Sequence, residues 1–179
     1  MSDTYKLKVA GLERELPICP LNDNLDIAAF VMFSDVELTV ACAEDLIKKC
    51  PDCDVILTAE SKGIPIAYEM ARQMGKTYVV ARKSVKLYMK NSISVTVKSI
   101  TTDAQQTLYL SEEKAEVIRG KKVLIIDDVI STGESLKALE KLAEEAGGNI
   151  ACKAAVLAEG DAADRKDIVY LEKLPLFFK

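Results

Sequence analysis

The 179-residue sequence contains no histidine and no tryptophan. Without an imidazole there is no Ser-His or Cys-His nucleophile pair and no His-ligated metal. Long apolar runs are missing too. The longest, Ile27–Phe33, has seven residues, against about 20 for a membrane-spanning helix. Basic charge is not in excess: 24 Lys and Arg stand against 28 Asp and Glu, a net charge of −4. Neither a nucleic acid nor a membrane surface is therefore an expected partner. Cysteine is sparse and odd in number, at five, and Met1–Gly11 is polar with mixed charge. An odd count with no secretory leader fits a reducing cytoplasm. Cys50 and Cys53 do form a Cys-Pro-Asp-Cys pair. A redox pair of that kind opens a helix, whereas this one follows a predicted helix, where the dipole has the wrong sign for a thiolate. No second pair has zinc spacing, so these cysteines read as structural. No repeat, low-complexity segment or linker divides the chain, and its length suits a single domain, residues 1–179, with a real core.

What the sequence does have is concentrated in Val123–Ser135, VLIIDDVISTGES. Val123–Ile126 is a buried-strand pattern, apolar throughout and β-branched. Asp127 and Asp128 follow, and neither carboxylate tolerates a core without a partner, so the strand should end there and open toward solvent or ligand. Val129 and Ile130 lead to Ser131, Thr132, Gly133, Glu134 and Ser135. Then Leu136, Leu139, Leu142, Ala143 and Ala146 recur at helical spacing. A small-residue turn at a helix N-terminus gathers N–H donors and positive dipole, which suits a phosphate. An acidic pair beside it can accept hydrogen bonds from adjacent sugar hydroxyls. The plainer alternative is a βα turn with a capping Ser or Thr.

A second unit of the same kind comes earlier. Asp54–Thr58 reads as a parallel strand, Ala59–Gly63 as a small-residue turn, and Ile64–Met74 as a helix with Pro65 in its first turn and Gly75 past its end. Its predicted inner face is Ile64, Ala67, Tyr68, Ala71 and Met74. Thr77–Ala81 is another strand, with Arg82 and Lys83 at its carboxyl end. From Arg82 to Thr102 there are five basic residues, Arg82, Lys83, Lys86, Lys90 and Lys98, and no acid, a local asymmetry suited to a polyanion. Ser92–Ser99 alternates in the β manner and pairs with Gln106–Leu110 as a hairpin, and the loop around residues 85–105 has few large apolar anchors apart from Leu87, Tyr88 and Met89. Near the N-terminus, Tyr5–Val9 and Leu16–Pro20 read as strands. Ser34 with Glu37 forms a capping box for a helix to about Cys50, with Val36, Val40, Ala43 and Ile47 facing inward. Ala151–Ala158 is a further apolar strand.

Val123–Ser135 resembles, position by position, the phosphoribosyl-pyrophosphate (PRPP) signature of the type I phosphoribosyltransferases: four apolar residues, two acids, two apolar residues, then a small-residue loop with Thr-Gly. The resemblance implies an α/β fold with a parallel sheet, a flexible β-hairpin loop, and a small hood contributed by about residues 1–35 and the C-terminal segment. It implies that Asp127 and Asp128 face the ribose hydroxyls and that Ser131–Ser135, with Val129 and Ile130, surround the 5-phosphate. Ser61, Lys62 and Gly63 match the pyrophosphate turn, which in the family carries a non-proline cis peptide just before its Lys or equivalent. Arg82-Lys83, with Lys86, resembles the pyrophosphate-contacting segment of the adenine and xanthine enzymes, which lies near a subunit interface and implies a homodimer. Asp127, Asp128 and Arg82 are thus the catalytic candidates, and Mg2+ the implied cofactor, held mainly by substrate. Ser131 stands where hypoxanthine–guanine enzymes usually have an Asp beside the purine N7, which favours adenine. Adenine enzymes often have a Glu in the mobile loop, and residues 82–102 have none, which keeps xanthine open. The segment Ser92–Thr101 is also similar to purine repressors, so a PRPP-binding regulator without catalysis is the alternative of a different class.

Overall fold

The computed structural model describes residues 4–98 and 105–179. The chain opens with β1 (Thr4–Val9) and β2 (Leu12–Asn22), an antiparallel hairpin. Its turn, Ala10-Gly11, has positive φ at both residues, the geometry that matches strand twist in a two-residue loop. β3 (Leu25–Ala28) pairs antiparallel with β2. The apolar run of residues 27–33 therefore begins as strand and continues as irregular backbone. Phe30 and Met32 turn into the core at 4% and 1% exposure, while Val31 and Phe33 stay half exposed.

α1 (Val36–Lys49) departs from the sequence expectation in two respects. Its N-cap is Asp35, not Ser34: Asp35 Oδ1 accepts from the Leu38 N–H at 3.1 Å, and Ser34 sits at φ 69°. Glu37 pairs with Arg14 across to β2 at 2.8 Å instead of closing a capping box. The buried stripe is Leu38, Thr39, Cys42, Ala43 and Leu46, whereas Val36 and Val40 face outward. Apolar residues occur on both sides of this helix, so spacing alone selected the wrong one.

β4 (Val55–Ala59), α2 (Ile64–Met74) and β5 (Thr77–Ala81) follow as a strand–helix–strand unit. In α2 the inward residues are Ile66, Ala67, Met70 and Ala71, with Tyr68 outside. β6 (Ile93–Lys98) and β7 (Gln105–Leu110) form the expected hairpin, paired from Ile93↔Leu110 to Lys98↔Gln105. The expectations that reach Ser99, Thr101 and Thr102 lie outside the described residues. The hairpin is anchored by residues other than those expected for the 85–105 segment. Val97, Leu108 and Leu110 are buried, while Leu87 and Tyr88, the expected anchors, are exposed. α3 (Glu112–Ile118), N-capped by Ser111, was not foreseen. β8 (Lys122–Ile130), α4 (Glu134–Glu145) and β9 (Asn149–Glu159) form the second unit. A 3-10 turn, Gly160–Asp164, leads to β10 (Val169–Leu174) and β11 (Leu176–Phe178).

Five strands make one sheet in the order β10-β9-β8-β4-β5, all pairs parallel. On one face Leu38, Leu46, Ile66 and Met70 of α1 and α2 pack on Ile56, Leu124 and Ile126. On the other, Leu139 and Leu142 of α4, Ile118 and Leu108 pack on Leu57, Val123 and Ile125. Each fully buried Leu or Ile contributes about 1.5–3 kcal/mol of transfer energy, so the two layers fix the sheet from both sides. β1, β2, β3 and β11 form a separate four-stranded sheet, linked to the larger one by the short Leu174–Leu176 connection. Among the described residues no helix is long and apolar enough to cross a membrane.

The strand order locates the ligand position. β4 and β8 are neighbours, but β4 leads out to β5 on one side and β8 to β9 on the other. The crevice between them, at the strands' carboxyl ends, is the switch point at which open α/β sheets bind ligands. Both small-residue turns of the sequence emerge there.

Candidate active site

A cavity of about 380 Å³ opens at that switch point. Its floor is Ala59–Lys62 at and just after the end of β4 and Asp127–Val129 in β8, with Ser131 and Ser135 beyond; Lys83, Gln106, Glu159 and Leu174 stand around it, and Ile27–Val31, at the end of β3 and just past it, forms a further wall. A smaller hollow of about 100 Å³ adjoins it, enclosed by Asp127, Val129–Gly133, Ser135 and Leu136. Its size is that of one small anion, and it sits at the N-terminus of the 12-residue α4, where N–H groups and the helix dipole converge.

Gly133 is the N-cap of α4, with φ 82°. The backbone turn requires glycine, and a Cβ there would also displace the Arg165 guanidinium, whose Nη1 lies 2.7 Å from its position. Arg165 is held by Asp167 at 2.7 and 2.9 Å, and Asp167 in turn by Lys153 at 2.7 Å, which reaches Glu140 of α4 at 2.8 Å. Glu134 lies in the first turn of α4, the favourable end for its charge.

β8 does not end before the acidic pair, as the hydrophobic pattern suggested. It continues through it, with Val129↔Leu157 and Ile130↔Ala158 still paired to β9. Ladder hydrogen bonds to β9 satisfy the backbone while the two carboxylates stay at the cavity. Asp128 is only 6% exposed. Asp127 Oδ1 accepts from the Asp128 N–H at 2.9 Å. Burial, and then the neighbouring Asp128 charge, push the Asp127 carboxyl well above its usual range, with Lys83 acting weakly against the shift. An adjacent hydroxyl pair or a cation would relieve both causes.

The turn after β4 carries a cis peptide, between Glu60 and Ser61. Ser61 and Lys62 line the cavity; Gly63 does not. Gly63 caps α2 from behind, so close to Thr58 and to Asp127 Oδ1 (2.9 Å from an added Cβ) that no side chain fits. Of the basic segment only Lys83 reaches the wall. Arg82 is turned away: its backbone bridges Tyr109 of β7, and its Nε lies 3.0 Å from Glu60 Oε2, at ion-pair distance but out of hydrogen-bond alignment. Lys86 Nζ donates to Ser84 Oγ at 2.8 Å and lies 3.9 Å from Glu60. Glu60, which also accepts from the Lys83 N–H at 3.1 Å, is the hub that sequence reasoning missed. Gln106 and Leu174 were missed as well. They arrive from distant strands, and nothing local to either residue signals it. The Cys50 thiol, at the C-terminus of α1, is pushed up by the Cys152 thiol beside it and by burial, the opposite of a reactive thiolate.

Residues 37–174 match the family described as "Phosphoribosyl transferase domain". The chain is 33% identical over 147 residues to the hypoxanthine/guanine phosphoribosyltransferase of Methanothermococcus okinawensis, covering 82% of this chain and 74% of that one. It is 33% identical to the adenine phosphoribosyltransferase of Butyrivibrio fibrisolvens, covering 67% and 69%. It is 30% identical to a purine biosynthesis transcriptional repressor of Bacillus subtilis, covering 64% of this chain but only 39% of the repressor. Among solved structures, the adenine phosphoribosyltransferase of Thermoanaerobacter pseudethanolicus has the same fold, with a TM-score of 0.74 at 21% identity over 88% of this chain and 95% of that one. With a buried strand, a diacid and a small-residue turn at the switch point of its parallel sheet, the chain belongs to the phosphoribosyl transferase domain family, as a type I member of its purine branch similar to the adenine phosphoribosyltransferases.

Proposed function

We propose that this protein transfers the 5-phosphoribosyl group from PRPP to adenine, forming the nucleoside monophosphate and releasing pyrophosphate. The observation that carries the PRPP reading is the junction of the two cavities: a diacid, Asp127-Asp128, directly beside an anion-sized hollow at a helix N-terminus. In the reaction the anomeric C–O bond to pyrophosphate breaks and a bond to a ring nitrogen of the base forms. The protein's part is to hold both reactants in line and to neutralise the departing charge. Asp127 and Asp128 hold the ribose hydroxyls; Val129–Ser135 surround the 5-phosphate. Ser61, Lys62 and Lys83 meet the pyrophosphate, with Gly63 shaping the turn behind them. Arg82 and Lys86 are held one side chain farther back, by Glu60. The catalytic assignment is therefore to Asp127 and Asp128, with Arg82 acting through Glu60.

Mg2+ would be held mainly by substrate oxygens and water, with the carboxylates of Asp127 and Asp128 as the nearest protein oxygens of the kind it takes. When bound, it would supply charge neutralisation at the pyrophosphate.

Adenine is favoured by Ser131, which lines both cavities and brings no carboxylate to the place where 6-oxopurine enzymes of the family usually have one. The segment Ile27–Val31 lines the cavity, and main-chain carbonyls there would accept from an exocyclic amino group. Xanthine is the second choice. The small sheet, including the C-terminal β11, acts as the hood of one domain spanning residues 1–179. We further propose a cytoplasmic homodimer. The exposed side chains Val31, Phe33, Val36, Val40 and Tyr68 make an apolar face contiguous with the cavity wall at Val31, as a subunit contact completing a site requires. The test is pyrophosphate release from PRPP and magnesium with adenine, hypoxanthine, guanine, xanthine, uracil or orotate. Turnover of adenine above the others supports the proposal; turnover of xanthine alone moves the base assignment; PRPP binding without any turnover makes the protein a sensor.

A further inference from the structure

We propose that Gln106 is a positioning residue that couples occupancy of the phosphate hollow to the β6-β7 hairpin. The inference rests on the reading of residues 131–135 as a phosphate turn, and it adds a residue outside every motif of the sequence. Gln106 lies in β7, on the hairpin, and its side chain lines the larger cavity. Ser135 lies in the first turn of α4 and lines both cavities. The Ser135 hydroxyl donates to Gln106 Oε1 at 3.1 Å. This hydrogen bond joins the hairpin directly to the phosphate turn.

A hydroxyl has one proton. With the hollow empty, Ser135 spends it on Gln106. A phosphate in the hollow offers a charged acceptor, and charge-assisted hydrogen bonds are roughly twice as strong as neutral ones. Ser135 then turns its proton to the phosphate, and its oxygen is left as an acceptor facing Gln106. An amide meets both conditions. Its oxygen accepts in the empty state, and a half-turn of the terminal torsion presents the NH2 group, which donates to Ser135 in the loaded state. A carboxylate could serve only the first state and would repel the phosphate; a thioether serves neither well. The hairpin therefore registers the phosphate through the direction of one hydrogen bond. Because β6 and β7 also pack on α4 through Val97, Leu108 and Leu110, a change at Gln106 is borne by the whole ribbon.

The test uses the full chain, with ribose 5-phosphate as the probe, calorimetry for affinity and hydrogen exchange over residues 93–98 and 105–110 for the response. Wild-type protein should bind the probe and change its hairpin exchange on binding. Gln106→Glu should weaken binding about tenfold or more, through the uncompensated carboxylate. Gln106→Met should bind within about threefold of wild type but lose the hairpin response. A merely structural role would lower the melting temperature of both variants without splitting affinity from response. Equal affinity for Gln106→Glu and wild type, or an intact response in Gln106→Met, overturns this inference alone. If wild-type protein does not bind ribose 5-phosphate, the phosphate-turn reading and the proposed function fall with it.

Discussion

Gly63→Ala is the substitution that most directly probes how the two turns share the crevice. Gly63 has φ −76° and ψ −9°, a conformation alanine adopts without strain, so the backbone exacts no penalty. Any effect must come from the added methyl. Its Cβ would lie 2.9 Å from Asp127 Oδ1 and 3.3 Å from Asp127 Cα, and closer still to Thr58 Oγ1. These neighbours are rigid: Thr58 and Asp127 belong to adjacent central strands, and Thr58 is fully buried. Overpacking of this kind costs about 1–3 kcal/mol. The loss of glycine's freedom in the unfolded chain offsets about 0.4–1 kcal/mol. The net is a destabilisation of about 1–2 kcal/mol, or a Tm lower by roughly 2–8 °C for a chain of this size. Displacement of Asp127 should also weaken PRPP binding, by about tenfold or more. Thr58 supplies a control. Its buried Oγ1 has no hydrogen-bond partner among the described residues, so Thr58→Ala removes the closest obstacle at little cost. The double variant should recover part of both losses, read by thermal melting and calorimetry as a double-mutant cycle. A Gly63→Ala protein that melts within about 1 °C of wild type and binds PRPP normally refutes the argument.

Three further outcomes follow from the structure. The raised Asp127 carboxyl means that the folded state favours its protonated form, so the stability of the ligand-free protein should fall as pH rises from the ordinary value of 3.8 through the raised one. Asp127→Asn should flatten that slope in urea titrations while abolishing PRPP affinity; an unchanged slope counts against the shift. Asp35 behaves oppositely. Its hydrogen bonds from Arg14 hold its carboxyl below 3.8, so its contribution is present above that value and disappears as pH falls through the lowered one. Asp35→Ala should lose about 0.5–2 kcal/mol as a helix cap and should make the protein less acid-sensitive, and a loss with no pH dependence would contradict this. Phe33→Asp, on the exposed apolar face, should convert a dimer to a monomer in light scattering, whereas a dimer that survives it has its contact elsewhere.

The elements set by local pattern were legible in the sequence: the buried strands, both strand–turn–helix units, Gly75 past α2, the pairing of the hairpin segments and the inner face of α4. α1 was misread because apolar residues lie on both of its faces, and the packing partners that decide between them are in α2 and, far along the chain, β9 and β10. The extent of β8 was misread because a carboxylate in a strand is excluded only when the strand end is closed; here it opens on a cavity. The small-residue turn Ser131–Ser135 and Asp127-Asp128 were legible as a unit because they are contiguous, and they line the adjoining cavities together. Glu60, Gln106 and Leu174 were not, since each reaches the cavity only once the sheet order β10-β9-β8-β4-β5 exists. Arg82 was placed correctly in the chain but not in space, because the ion pair that turns it from the cavity joins two different strand ends.

The most direct measurement is PRPP- and magnesium-dependent pyrophosphate release over the panel of bases, with wild-type protein beside the Asp127→Asn/Asp128→Asn variant. The account predicts release with a purine, adenine foremost, and at least about a hundredfold loss in the folded variant, the scale at which misplaced reactants lose rate. Release by the variant at the wild-type rate, or PRPP bound by wild type with no base turned over, would contradict it.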